Sequence, residues 1–237
     1  MKLIKLFVLA GLLATSTAKA QNADEILQKH EIAIGGAEAW NKIKTIKMIG
    51  SMSMQGMDVN LTQTMVPGKA IRTDISVMGM SGFTIVTPKK GWMYMPFQGQ
   101  SAIDTMKPEM VQAAQRQLDI KASQMLDYKS NGTKAEYVGK DTVSGASCYK
   151  IKFTDKDQNE YTSYFDASTY YLLRTDNKMK SDDGEMEVSV SYDKYKKMDE
   201  GVVMPMSVTA QGAEIVFKTI EINKFVDDNV FIPKIEK

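Results

Sequence analysis

From Thr45 to Phe225 the chain keeps a period of two, and this rhythm limits the fold more than any other feature. Ile46, Met48, Met52 and Met54 alternate with Thr45, Lys47, Ser51 and Ser53, the pattern of a half-buried strand. Further strand-like segments follow at Asp58–Val66, Lys69–Val77, Gly82–Thr87 and Gly91–Pro96, punctuated by Gly56, Pro67-Gly68, Gly79 and Pro88. After Asn131-Gly132 come Ala135–Asp141, Ser147–Thr154, Tyr161–Asp166, Tyr171–Lys178, Glu185–Lys196, Val202–Thr209 and Ile215–Phe225. Their connections, such as Asp199-Glu200-Gly201 and Gln211-Gly212, have hairpin chemistry. Strands this close together form an antiparallel meander, because a parallel sheet needs a crossover helix between strands.

Helices are few. Asn22 and Glu25 are spaced as a capping box, and Gly35-Gly36 ends the apolar stripe of Ile26, Leu27, Ala33 and Ile34. A short piece over Ala37–Ile43 carries Trp40, a core anchor. One insertion interrupts the strands: Pro108 opens a helix whose stripe of Met110, Val111, Ala114, Leu118, Met125 and Leu126 runs to Leu126. A sheet of eleven or twelve strands curls or splits rather than staying flat. The expected fold is therefore mainly β: an incomplete, half β-barrel with two helical elements across its concave side. No linker or repeat divides it, so residues 21–237 are expected to form a single domain.

Methionine is placed by the same rhythm. Met52 and Met54, Met78 and Met80, Met93 and Met95, and Met204 and Met206 are all spaced two apart, which in a strand puts each pair on one face. These eight are the candidate lipid-binding residues. An unbranched, polarizable thioether fills irregular space and re-packs around different ligands, so such a face suits a soft apolar cavity. Trp92 and Tyr94 fall on the opposite face of their strand, either convex or under an adjoining loop.

The first twenty residues read as a secretory signal peptide: Lys2 and Lys5, a short apolar run from Ile4 to Leu13, then Ala18-Lys19-Ala20. The run is shorter than the roughly 20 residues a membrane-spanning helix needs. Cleavage before Gln21 leaves no cysteine to lipidate, so the expectation is a released periplasmic protein. The chain has 30 basic and 29 acidic residues and no basic block, which argues against a nucleic-acid partner. A single cysteine, Cys148, precludes an internal disulfide. On the face of Lys150 and Lys152, it is expected to be a partly exposed thiol. Charged turns and strand faces argue against an outer-membrane barrel.

Catalytic arrangements are missing from the sequence. The one histidine, His30, lies on the first helix without a paired ligand and is expected at the helix surface or in a lid. Gly79-Met80-Ser81-Gly82 lacks the spacing of a nucleophile elbow. Asp182-Asp183 and Asp227-Asp228 sit in polar turns, where aspartate is common for backbone reasons. No enzyme activity, cofactor or metal is expected.

The segment PGKAIRTDISVMGMSGFTIVTPKKGWMYMPFQG, Pro67 to Gly99, resembles the LolA/LolB-like periplasmic lipoprotein carriers of outer-membrane lipoprotein sorting. Trp92, Tyr94, Pro96 and Phe97 hold that family's aromatic-x-Tyr-x-Pro-Phe positions. YFDASTYYLLRTD (Tyr164 to Asp176), VVMPMSV (Val202 to Val208) and INKFVDDNVFIP (Ile222 to Pro233) resemble its second half, in the form found in Bacteroidetes. The resemblance implies a half-closed barrel with a helical lid. It also implies acyl chains of lipoproteins or phospholipid as ligands, transient contact with inner- and outer-membrane machinery, and a monomer. It implies an arginine before the strand-leading proline to latch the lid, where this chain has Val66; Arg72 lies six residues further on and does not inherit the role. The alternative is a non-transporting interaction or sensor module, in which the methionine faces are only packed core.

Overall fold

The computed structural model describes residues 23–54, 56–181 and 184–235. The proposed signal peptide, the cap at Asn22 and the pair Asp182-Asp183 lie outside them. Thirteen strands, β1 (Ile46–Met54) to β13 (Ala213–Ile222), form one antiparallel sheet in which β6 (Asp104–Thr105) and β7 (Lys134–Val143) are end strands. β6 is the strand that the sequence pattern does not show. Its two residues pair with Trp92 and Met93, too short a run for any period to register.

The chain divides into two compact units. The first takes residues up to Gly36 together with Asp127–Tyr192. It contains helix α1 (residues 23–33), β7, β8 (Ala146–Thr154), β9 (Glu160–Asp166), β10 (Leu172–Ser181) and most of β11 (Gly184–Lys197). The second takes Ala37–Leu126 and Asp193–Lys237. Its sheet runs β12 (Val203–Ala210), β13, β1, β2 (Met57–Val66), β3 (Ala70–Val77), β4 (Met80–Val86), β5 (Gly91–Tyr94), β6. Helix α2 (Gly36–Asn41) carries Trp40, which is 1% exposed, as its sequence context implied.

The insertion is not the single helix its apolar stripe predicts. It consists of α3 (Pro108–Gln115), a 3-10 turn (Arg116–Leu118) and α4 (Ile120–Ser123). Asp119 makes the break. Its backbone is extended and its carboxylate accepts from the N–H groups of Lys121 and Ala122, starting a new helix. The Leu118 carbonyl freed by the break accepts from Gly68 N–H at 2.8 Å. Val111, Leu118 and Leu126 are buried, whereas Met110 is exposed.

Gly50 illustrates how a sheet face keeps its phase. Ile49 faces Thr219 and Gly50 faces Phe217, so the extra residue is Lys218 and the bulge belongs to β13. Pairing of β1 with β2 runs unbroken from Ile46↔Met65 to Met54↔Met57. The glycine is needed for close approach, since a Cβ there would lie 2.7 Å from the Val216 carbonyl oxygen.

Candidate functional site

Residues directly opposite each other in an antiparallel ladder share a face, so the register of the second unit sorts its side chains without ambiguity. Met48 pairs with Gln63, Gln63 with Thr73, Thr73 with Thr84, and Thr84 with Met93. Two residues along the strands toward the 57–58 end, Gly50, Leu61, Ile75 and Gly82 form the next row, and Met52, Val59, Val77 and Met80 the one beyond. Toward the other end, Ile46, Met65, Ile71, Val86 and Gly91 form a row. On β13, Phe217 joins this face opposite Gly50, as does Ile220 opposite Met48. Val208 pairs with Ile215 on the same side, and alternation along β12 places Met204 and Met206 with them. This one face is therefore aliphatic and thioether-rich across seven strands.

Of the eight methionines the sequence singles out, Met52, Met80, Met93, Met204 and Met206 belong to this face. Met54 takes its backbone place opposite Met57, but its side chain lies outside the described residues. Met78 does not belong. With Gly79 it forms the two-residue turn of the β3–β4 hairpin, φ 50° and 80°, and its side chain is 77% exposed. Met80, next to the turn, is 44% exposed. Met95 follows the end of β5 and is buried, its N–H donating to Gln100 Oε1 at 2.6 Å. Met48, Met57 and Met65 are the members that spacing alone did not single out. Carrying the alternation of β1 through the tight turn at Gly56 would have found them.

Burial on the face is graded. Val59, Leu61, Met65, Val77, Phe217 and Met204 are buried, while Met48, Met52, Met57, Ile75, Met93 and Met206 keep partial exposure. At its Val86 end, Met106, Val111 and Ala114 pack on Val86 and Met93. A cavity of about 260 Å³ remains there, lined by Gln63, Ile71, Thr73, Thr84, Val86, Met106, Ala114 and Gln117.

The reverse face of β3 to β5 is sealed. Trp92, Tyr94 and Val66 pack against Ala70, Phe83, Ile85 and Phe231, with Val226 and Val230 of the C-terminal segment beside them. Trp92 and Tyr94 are thus opposite Met93 and under an adjoining segment, as alternation predicts. Val66, which stands where the resemblance implies an arginine, points into this sealed core. Arg72 fastens the segment: it pairs with Asp74 at 2.6 Å, donates from Nη1 to the Val230 carbonyl at 2.8 Å and lies 4.8 Å from the Phe83 ring centre. Lys69 adds an ion pair to Asp228, and Asp227 caps the 3-10 turn Asp228–Phe231 through Asn229 N–H.

In the first unit the corresponding apolar face is aromatic. Tyr149 faces Phe165, Ile151 faces Ser163, and Phe153 faces Tyr161, whose ring it stacks at 4.9 Å. Ile151, Phe153, Ser163 and Phe165 have no exposed surface. Here two sequence expectations are corrected. His30 is buried rather than at the helix surface: Nδ1–H donates to the Tyr170 carbonyl at 2.8 Å and the ring meets Phe165 edge-on at 4.9 Å. Cys148 lies on the face of Lys150 and Lys152 as expected, yet it is fully buried against Val143 and Tyr164. Burial and the Asp141 carboxylate together push its thiol up, away from the reactive thiolate. Helix α1 is also held by Asp24, which accepts from the Tyr128 hydroxyl and pairs with Lys129.

Compared by sequence, the chain matches no protein-family model and no curated protein. Compared by structure, it has the LolA-like fold. A DUF1329 family protein from Desulfovibrio piger superposes with a TM-score of 0.56 at 12% identity, over 90% of this chain and 97% of that one. A LolA superfamily protein from Nitrosomonas europaea gives 0.54 at 12% identity, over 89% and 97%. A Vibrio parahaemolyticus domain assigned to outer membrane lipoprotein sorting gives 0.52 at 12% identity, over 90% and 97%.

Proposed function

We propose that the chain is an exported, periplasmic carrier that binds acyl chains of lipoproteins or phospholipid along the methionine face of its second unit. The observation that carries this reading is the partial exposure of Met48, Met52, Met57, Met93 and Met206 on one largely apolar sheet face. A face meant only as core would be closed; this one retains surface for a ligand. Each methylene that such a face removes from water contributes about 0.8 kcal/mol, and thioethers adjust to chains of different shape. In this reading, which the signal-like start supports, the carrier works between the membranes and meets donor and acceptor machinery as a monomer. Binding is reversible and involves no covalent chemistry, cofactor or metal. With Val66 turned into the sealed core, release does not depend on an arginine latch at that position.

The test is native mass spectrometry and solvent extraction of the protein isolated from membrane-containing cells without detergent. Bound phospholipid or acylated peptide is the expected result. A lipid-free protein that also takes up no lipid from vesicles would overturn the carrier reading and favour the interaction module.

A further inference from the structure

One row of the methionine face breaks its chemistry. Between the aliphatic rows Met65-Ile71-Val86 and Leu61-Ile75-Gly82 run Gln63, Thr73 and Thr84, side by side on β2, β3 and β4. All three line the 260 Å³ cavity, with the Gln117 amide at its wall. Gln63 Nε2 donates to Thr73 Oγ1 at 3.3 Å, which leaves the Thr73 proton to be donated elsewhere. Among the described residues, the Thr84 hydroxyl and the Gln117 amide make no hydrogen bond. The Thr73 and Thr84 hydroxyls are only partly covered, so water can hydrate them in the free protein and a ligand's carbonyl oxygen can take that water's place. No lining side chain carries a charge, so the cavity is built for a neutral acceptor and offers no cation to a free carboxylate.

We infer that this row is a subsite for the ester carbonyls of a glycerol-linked acyl lipid. The Thr73 and Thr84 hydroxyls donate to the carbonyl oxygens, and the hydrocarbon beyond them lies on the methionine face. The inference rests on the acyl-carrier reading and adds to it the residues that hold the ester carbonyls of such a lipid. Phospholipids and diacylglyceryl-modified peptides share that linkage, and both enter the test.

Calorimetry would measure four probes: a short-chain diester phosphatidylcholine, an S-diacylglyceryl cysteine peptide, and the dialkyl ether counterpart of each. The ethers keep the chains and lack the carbonyls. Two neutral hydrogen bonds predict about tenfold tighter binding of an ester than of its ether. Whichever ester shows that preference identifies the source. The Thr73→Val/Thr84→Val double variant keeps β-branched side chains of the same shape, so its strands remain intact. It should bind esters only as tightly as ethers. Equal binding of ester and ether by the unaltered protein overturns the subsite, as does a preference that survives in the double variant. If all four probes fail to bind, the acyl-carrier reading itself falls and the subsite with it.

Discussion

The two units solve the same problem, an apolar sheet face, with opposite materials. In the first, Phe153, Phe165 and Ile151 are completely enclosed, and their rings meet in stacked and edge-on pairs. Aromatic pairs of this kind have preferred geometry and resist rearrangement. The second unit spends thioethers where the first spends rings, and leaves several of them half-covered. Thioethers specify packing poorly and tolerate exchange of neighbours. On the carrier reading proposed above, the first face is a permanent interior and the second a temporary one.

The largest expected effect tests whether the first face is permanent. Phe165→Ala should lower stability by about 3–5 kcal/mol in chemical denaturation, the usual cost of emptying a fully packed aromatic site. Met48→Ala, on the half-covered face, should cost well under half as much. Equal losses would erase the distinction between the two faces.

A smaller effect on stability, but a large one on ligand, is expected from Met52→Gln combined with Met57→Gln. Both side chains are partly exposed, so their amides stay hydrated and the denaturation midpoint should hardly move. Acyl-chain uptake should drop at least tenfold in the same preparation. A double variant that unfolds would reassign these residues to permanent core.

The smallest effect concerns the attachment of α1. Burial raises the Asp24 pKa, but the hydrogen bonds from Lys129 and Tyr128 outweigh it and the net shift is downward. A depressed carboxyl pKa stabilises the fold above the unfolded value, near 3.9, and that contribution is lost as pH falls through the folded pKa. Asp24→Asn should therefore lower the melting temperature slightly at pH 7, and the gap to the unaltered protein should begin to narrow as pH falls below about 4. The Asp24 side chain is 45% exposed, so the effect is also reduced by salt. A gap that does not narrow at all as pH falls below about 4 would mean that something other than the carboxylate charge holds the helix.

How much of this was legible in the sequence depends on the range of the interaction. Strand period is local, so twelve of the thirteen strands follow from spacing, whereas the common face of Met52, Met80 and Met93 needs the register between strands. The exclusion of Met78 was also available locally, because a residue followed by glycine between two alternating runs is a hairpin signal. The break at Asp119 was harder to see, since an aspartate inside an amphipathic stripe is equally compatible with an exposed helix position. The burial of His30 and Cys148 depends on Phe165, Tyr170, Val143 and Tyr164. Except for Val143, these partners are remote in sequence, and no spacing rule reports such contacts. The polar row was invisible for the same reason: Gln63, Thr73 and Thr84 become neighbours only through register.

The pairing of β1 with β13 also governs how the chain comes into being. β1 ends at Met54 and the strand that must lie beside it begins at Ala213. At about 5–20 residues synthesised per second, β1 waits roughly ten to thirty seconds for that neighbour. Throughout the wait, its Met48 and Met52 have no β13 to shelter them, and its backbone edge is open to any other extended chain. A growing chain thus carries this open edge until Ala213–Ile222 has been made, and its need for protection at that edge should end when β13 pairs with β1.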